Sequence, residues 1–275
     1  MLFGIMQGRL VPPEGTLYQC FPREQWREEF PRAKAAGLDA IEWIYDVYAE
    51  DMNPIATDAG LDQMRALTKE HGIRTASCCA DWFMERPLVK GSEADKAKSF
   101  ERLTWLLGQL GKLKMQRVVL PFVDASKLES DADIDALVKV LERALPTSEA
   151  TGVELHLETD LDPARFAALL ARVPSKMVWV NYDSGNSSSL GYKPREEFAA
   201  YGARVGSVHI KDRVLGAKTV PLGTGDCDFD GVFESLKKVG YQRDFILQAA
   251  RGENGGEVEL ARNNRAFADR WLKAS

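Results

Sequence analysis

Sparse polar side chains interrupt four otherwise apolar segments in the second half of this 275-residue chain. The segments read Glu154-Leu-His156-Leu-Glu158, Asn181-Tyr-Asp183, Ser207-Val-His209-Ile-Lys211 and Ile246-Leu-Gln248. Each carries a Glu, Asp, His or Gln near its C-terminal end. Two carboxylates brought together in a low-dielectric place repel each other, and burial adds a desolvation cost. A divalent cation removes both penalties and uses all four groups as ligands. Two carboxylates, an imidazole and an amide oxygen are hard to borderline donors, which suit one Mn2+, Mg2+, Co2+ or Zn2+ ion, with Mn2+ the first expectation. The competing reading is structural: a lone strand histidine is usually a hydrogen-bonded core residue, and a strand-end carboxylate often caps the next helix. Four such residues at the same end of successive strands favour the metal site.

Cations stand close to these positions in sequence. Lys211, Arg213 and Arg251 are expected to contact a phosphate or carboxylate on a substrate. The Gly223 and Gly225 amides of the PLGTGD segment would assist, or would simply form a turn. Trp82 is a candidate to stack on a sugar face, with core or interface packing as the alternative. His156 faces the same way as Glu158 one layer deeper, as a satisfied interior residue would. His71, just before Gly72, reads as the end of a helix.

The elements that must position these groups follow from periodicity. A recurring unit of amphipathic helix, glycine and apolar strand appears at Gly37, Gly72, Gly152, Gly202 and Gly240. Glycine supplies the positive φ that a helix end often needs, and αβ connections are short. Strands are expected near 2–7, 40–45, 74–79, 117–122, 154–158, 178–183, 205–210 and 245–249. Helices are expected near 23–36, 57–70, 94–112, 131–149, 163–171, 194–201, 229–238 and 257–272. Strict alternation over eight units predicts an α/β fold, a (β/α)8 TIM barrel forming a single domain over 1–275. The longest irregular stretches (8–22, 80–93 and 212–228) all follow strands, on the side where such barrels place their active sites.

Composition narrows the function classes. Apolar residues make up 45% and charged residues 28%, enough for a large core under a solvated surface. The net charge of -5 argues against nucleic acid as a partner. Cys20, Cys78, Cys79 and Cys227 form no CxxC pair and read as reduced thiols, which together with an N-terminus lacking a signal-peptide pattern predicts a cytoplasmic protein. No apolar run reaches the roughly 20 residues of a membrane span.

The segments LHLET, NYDSGNS, VHIKDR, PLGTGDCDF and ILQAARG, with the opening GIMQGRL and the IEW of the second strand, resemble the sugar phosphate isomerase/epimerase group of the xylose isomerase-like barrel superfamily. The resemblance covers nearly the whole chain. It implies that Glu158 binds metal and serves as acid and base, with Asp183 and His209 as further ligands. It sets Gln248 where many catalytic members carry a second Glu, and Asn186 where several epimerases carry a substrate-contacting His. It implies that Glu42 lines the sugar site and that Arg213 approaches the substrate's oxygens or phosphate. A homodimer is the family expectation.

Gln248 is the informative departure, since an amide can donate an oxygen to a metal but cannot exchange a proton near neutral pH. A one-carboxylate site can isomerise an aldose to a ketose through a metal-stabilised enediolate, or start a dehydration. Two-base epimerisation would need Lys211, Asp212 or another group in place of the missing carboxylate. The expectation is therefore a metal-dependent isomerase or epimerase of a small sugar or sugar phosphate. The alternatives are a lyase on a polyol or keto acid, or a barrel that binds sugar without turnover. A three-zinc endonuclease of the related abasic-site type would need more histidines than His71, His156 and His209.

Overall fold

The computed structural model describes residues 1–272. Eight parallel strands close into a barrel: β1 (Phe3–Met6), β2 (Ala40–Ile44), β3 (Arg74–Cys79), β4 (Arg117–Phe122), β5 (Glu154–Thr159), β6 (Val178–Asp183), β7 (Val205–Ile210) and β10 (Phe245–Leu247). A two-stranded antiparallel ribbon, β8 (Asp212–Arg213) with β9 (Thr219–Val220), stands between β7 and β10. Around the ring the order is β1, β10, β7, β6, β5, β4, β3, β2, so β1 lies diametrically opposite β5. The expected TIM barrel is what the chain forms. Among the described residues, no helix is long and apolar enough to cross a membrane.

Strands buried on both sides read as continuous apolar runs, because helices cover the outer face. The helix Asp131–Thr151 shows how local chemistry sets the elements. Ser130 and Asp133 form a reciprocal capping box at its start, and Gly152 ends it at φ +72°. Its face of Leu137, Leu141 and Ala144 is almost fully buried, which at roughly 25 cal/mol per Å2 makes it a major contributor to the core. Gly202 departs from the recurring pattern. It keeps a right-handed φ of -55°, and a Cβ there would meet Val239 and Phe198, so packing explains that glycine.

Several boundaries differ from the sequence reading, for reasons that bear on the site. The last strand stops at Leu247, which leaves Gln248 on the connection at the barrel mouth. Ser184–Leu190, which lies outside the expected helices, is a short helix capped by Asp183. The first helix is only Glu29–Ala35. The β6–β7 pairing shifts register between Val180 and Asn181. The extra residue, Gly206, stands on β7, and such a bulge re-aims the side chains that follow it, here Ser207 and His209.

Candidate metal and sugar site

Three of the four ligand candidates converge. One donor atom from each of Glu158, Asp183 and His209 lies within 4.8 Å of the others, and all three residues are buried. His209 Nδ1 stands 3.4 Å from Glu158 Oε2 and 3.9 Å from Asp183 Oδ2. This nitrogen is buried and has no hydrogen-bond partner. An orphaned imidazole nitrogen facing two carboxylates is the donor arrangement a divalent ion needs, so the residues present fit such an ion.

Each ligand candidate is held from behind. His209 Nε2 meets Glu42 Oε1 at 2.6 Å, with both side chains fully buried. That bond assigns the Nε2 proton and orients Nδ1 toward the carboxylates. Glu42 therefore sits beneath His209 in the barrel interior, and the structure does not bring it to the sugar cavity. Burial alone would raise the Glu42 carboxyl, but His209 outweighs this and holds it below the ordinary value. Asp183 caps the helix that follows and still turns one oxygen to the cluster. Its Oδ1 accepts the backbone N–H groups of Gly185 and Asn186 at 2.9 and 2.8 Å, while Oδ2 faces His209.

Glu158 is fixed by two amides. Asn181 Nδ2 donates to its Oε2 at 2.7 Å and Asn186 Nδ2 to its Oε1 at 2.6 Å. Behind Asn181 a polar chain runs down the barrel interior: Ser207 Oγ donates to Asn181 Oδ1 at 2.5 Å, His156 Nδ1 meets Ser207, and His156 Nε2 meets Glu154. His156 is fully buried with both nitrogens partnered, and burial pushes its pKa down to about 4. Asn181, Ser207 and His156 each lie two residues before a site residue. The period-2 alternation of a strand marks that deeper layer, which was read for His156 and missed for the other two.

Lys211 extends its ammonium to Asp183 Oδ2 at 3.3 Å, Asn186 Oδ1 at 3.2 Å and Gln248 Oε1 at 3.4 Å. The Gln248 carbonyl thus points to the same place as Asp183. Arg213 Nη1 donates to Asn186 Oδ1 at 2.9 Å. Glu158, Asn186, Lys211, Arg213 and Gln248 all line a cavity of about 680 Å3 at the barrel mouth, a size that suits a small molecule.

Other expected contacts are elsewhere. Arg251 donates to the Tyr18 and Val11 carbonyls and braces the loop after β1. Trp82 turns away from the cavity, because its indole Nε1 donates to Glu50 at 2.8 Å and its ring packs on Phe83. The Gly223 and Gly225 amides donate to Asp212 Oδ2 at 2.8 and 2.9 Å, so they serve the loop rather than an anion. Asp212 is fully buried and committed to that loop.

Sequence reasoning missed five acids and a lysine that line the cavity: Asp46, Asp81, Glu85, Asp124, Asp160 and Lys218. All stand on the connections that follow strands, where no periodicity announces direction. Burial and the neighbouring charges of Asp124 and Glu158 push Asp160 up to about 6.

A closed (β/α)8 barrel with a carboxylate, carboxylate and imidazole cluster at its C-terminal mouth defines a class of barrel with a small-molecule site. Within it, the chain belongs to the xylose isomerase-like TIM barrel family, whose model matches residues 30–271. It is 26% identical over 278 aligned residues to the L-ribulose-5-phosphate 3-epimerase UlaE of Escherichia coli O157:H7 (strain EC4115 / EHEC), covering 95% of this chain and 94% of that one. It shares its fold with D-psicose 3-epimerase from Clostridium cellulolyticum H10, crystallised with D-tagatose (TM-score 0.77, 16% identity, 99% of each chain). It also shares it with the IOLI protein, whose structure holds a zinc atom (TM-score 0.75, 16% identity, 100% of this chain and 97% of that one).

Proposed function

We propose that this chain is a divalent-metal-dependent epimerase of a small ketose or ketose phosphate, with Glu158 as its main acid–base group. The observation that carries the reading is the buried His209 Nδ1, which makes no hydrogen bond and faces Glu158 and Asp183 beside the cavity that Glu158 lines. Glu158, Asp183 and His209 would hold the ion, with Gln248 as a fourth ligand through its amide oxygen. Mn2+ is the first expectation, and Mg2+, Co2+ and Zn2+ suit the same donors. When bound, the ion supplies positive charge where negative charge develops on the substrate oxygens. The epimerases among the relatives support the sugar class.

The protein's own groups do the rest. Asn181 and Asn186 hold the Glu158 carboxylate in one orientation, so its oxygens meet a C–H bond beside the carbonyl without searching rotamers. Proton removal there gives an enediolate, which Lys211 and Arg213 stabilise from the same wall. The amide at Gln248 favours a second reading, dehydration, because loss of water can proceed with one carboxylate.

The test is product analysis on L-ribulose 5-phosphate, D-psicose and D-tagatose with chelator-treated protein, before and after Mn2+ is restored. An epimer formed only after restoration is the expected result. Loss of water from substrate would replace epimerase by lyase. Binding without turnover would leave a sugar-binding barrel.

A further inference from the structure

Changing configuration at a carbon needs a proton removed from one face and another delivered to the opposite face. Glu158 supplies one face. The amide of Gln248 cannot supply the other. Asp212 is enclosed by its loop, and Lys211 is drawn to Asp183, Asn186 and Gln248. Asp124 and Asp160 follow β4 and β5, on Glu158's own side of the mouth.

Of the remaining acids that line the cavity, Asp46 accepts the Phe21 N–H at 2.7 Å and Glu85 is exposed. Asp81 follows β3, a quarter turn from β5 around the ring, and lines the cavity. Gln19 Nε2 donates to Asp81 Oδ2 at 2.7 Å, and Gln19 Oε1 accepts from Gln248 Nε2 at 3.2 Å and from Arg9 Nη2 at 2.9 Å. Gln19 comes from the loop after β1, the strand diametrically opposite β5. The line Gln248–Gln19–Asp81 therefore draws the Asp81 carboxyl from the β3 side toward the part of the mouth across from β5. Cys79 Sγ donates to Asp81 Oδ1 at 3.1 Å, so both oxygens are held in place.

We propose that Asp81 is a second catalytic residue, the carboxyl that protonates the substrate carbon on the face opposite Glu158. This assignment rests on the epimerase reading above. Glu158 takes the proton, the C–H bond breaks, and its electron pair forms the carbon–carbon double bond of the enediolate. The enediolate carbon then takes the proton of the Asp81 carboxyl on its other face, and the carbonyl re-forms. Glu158 ends protonated and Asp81 ionised, and proton exchange with water restores both. No oxidant or reductant is required. Burial, reinforced by Asp46 and Glu158 against its two hydrogen bonds, pushes Asp81 up to about 6, which brings its proton exchange closer to neutrality than an ordinary carboxyl's.

The experiment uses the full chain loaded with Mn2+, in D2O, with L-ribulose 5-phosphate and D-fructose as probes, followed by NMR. For Asp81→Asn, epimer formation falls by about 100-fold or more with KM nearly unchanged, the scale of a lost acid–base group. Deuterium exchange into recovered substrate continues, because Glu158 still removes and returns the proton on its own face. Asp81→Glu regains part of the epimerisation. Asp81→Asn epimerising at close to the wild-type rate overturns the assignment. So does equal loss of exchange and epimerisation with metal content unchanged, which marks a structural role. A wild type inert toward both probes removes the epimerase reading and this assignment together, whereas an active wild type with either of those variant results removes the assignment alone.

Discussion

Loading a divalent ion onto His209 must expel a proton, and the structure holds that proton firmly. Burial alone disfavours the imidazolium, but Glu42 at 2.6 Å and Glu158 at 3.4 Å outweigh it and raise the His209 pKa to about 10. Near pH 7 the metal-free ring therefore carries both protons. Removing one across about three pH units costs on the order of 4 kcal/mol, about a thousandfold in apparent affinity. Glu42→Gln keeps an acceptor for the Nε2 proton but removes the charge, so the His209 pKa falls and this competition fades. Calorimetric Mn2+ titrations, in buffers of differing ionisation enthalpy between about pH 6.5 and 8.5, read the proton count directly. The wild type should release about one proton from His209 per ion, with the apparent Kd tightening about tenfold per pH unit. In Glu42→Gln both the release and the slope should diminish toward the upper end of that range. Wild-type binding with no proton release, or an unchanged slope in the variant, would refute the reasoning.

Two further outcomes follow from named contacts. Asn186→Ala removes the amide that donates to Glu158 Oε1 at 2.6 Å, a hydrogen bond to a charged group worth about 1.5–3 kcal/mol, so kcat should fall roughly 10- to 100-fold in steady-state assays. Stability should also depend on Glu29, which is fully buried, accepts from the Gly8 and Leu10 amides, and is pushed up to about 8 by burial. A carboxyl with a raised folded pKa favours the native state fully below its unfolded pKa, and that share is lost as pH rises through the folded value. Urea melts of metal-free protein should therefore show stability falling between about pH 4.5 and 8, by on the order of 5 kcal/mol from this group, and Glu29→Gln should remove that part of the slope.

The strand-end residues were legible because a buried strand carries few polar groups, and each one there has a reason. Glu158, Asp183 and His209 stand out against their apolar neighbours, and alternation says which way they face. The barrel itself follows from eight helix–strand repeats and their glycine punctuation. Side-chain depth was less legible. Glu42 shares the barrel interior with His209, but sequence does not say that it lies below the ring rather than beside a sugar. Loop residues were the least legible. Trp82 and Asp81 are adjacent in the same loop, yet the indole turns to Glu50 while the carboxyl lines the cavity. Their directions depend on Gln19 and Glu50, 62 and 32 residues away in the chain. The Gly223 and Gly225 turn is similar, since Asp212 takes up the amides that an anion would have used.

The central claim is that Glu158 moves a proton on a sugar carbon at a metal site. Deuterium incorporation into L-ribulose 5-phosphate by Mn2+-loaded wild type and Glu158→Gln, with metal content checked in both, tests it most directly. The account predicts incorporation at the carbon beside the carbonyl by the wild type, and a loss of about 100-fold or more in the variant. Equal incorporation by a metal-loaded Glu158→Gln protein would contradict it.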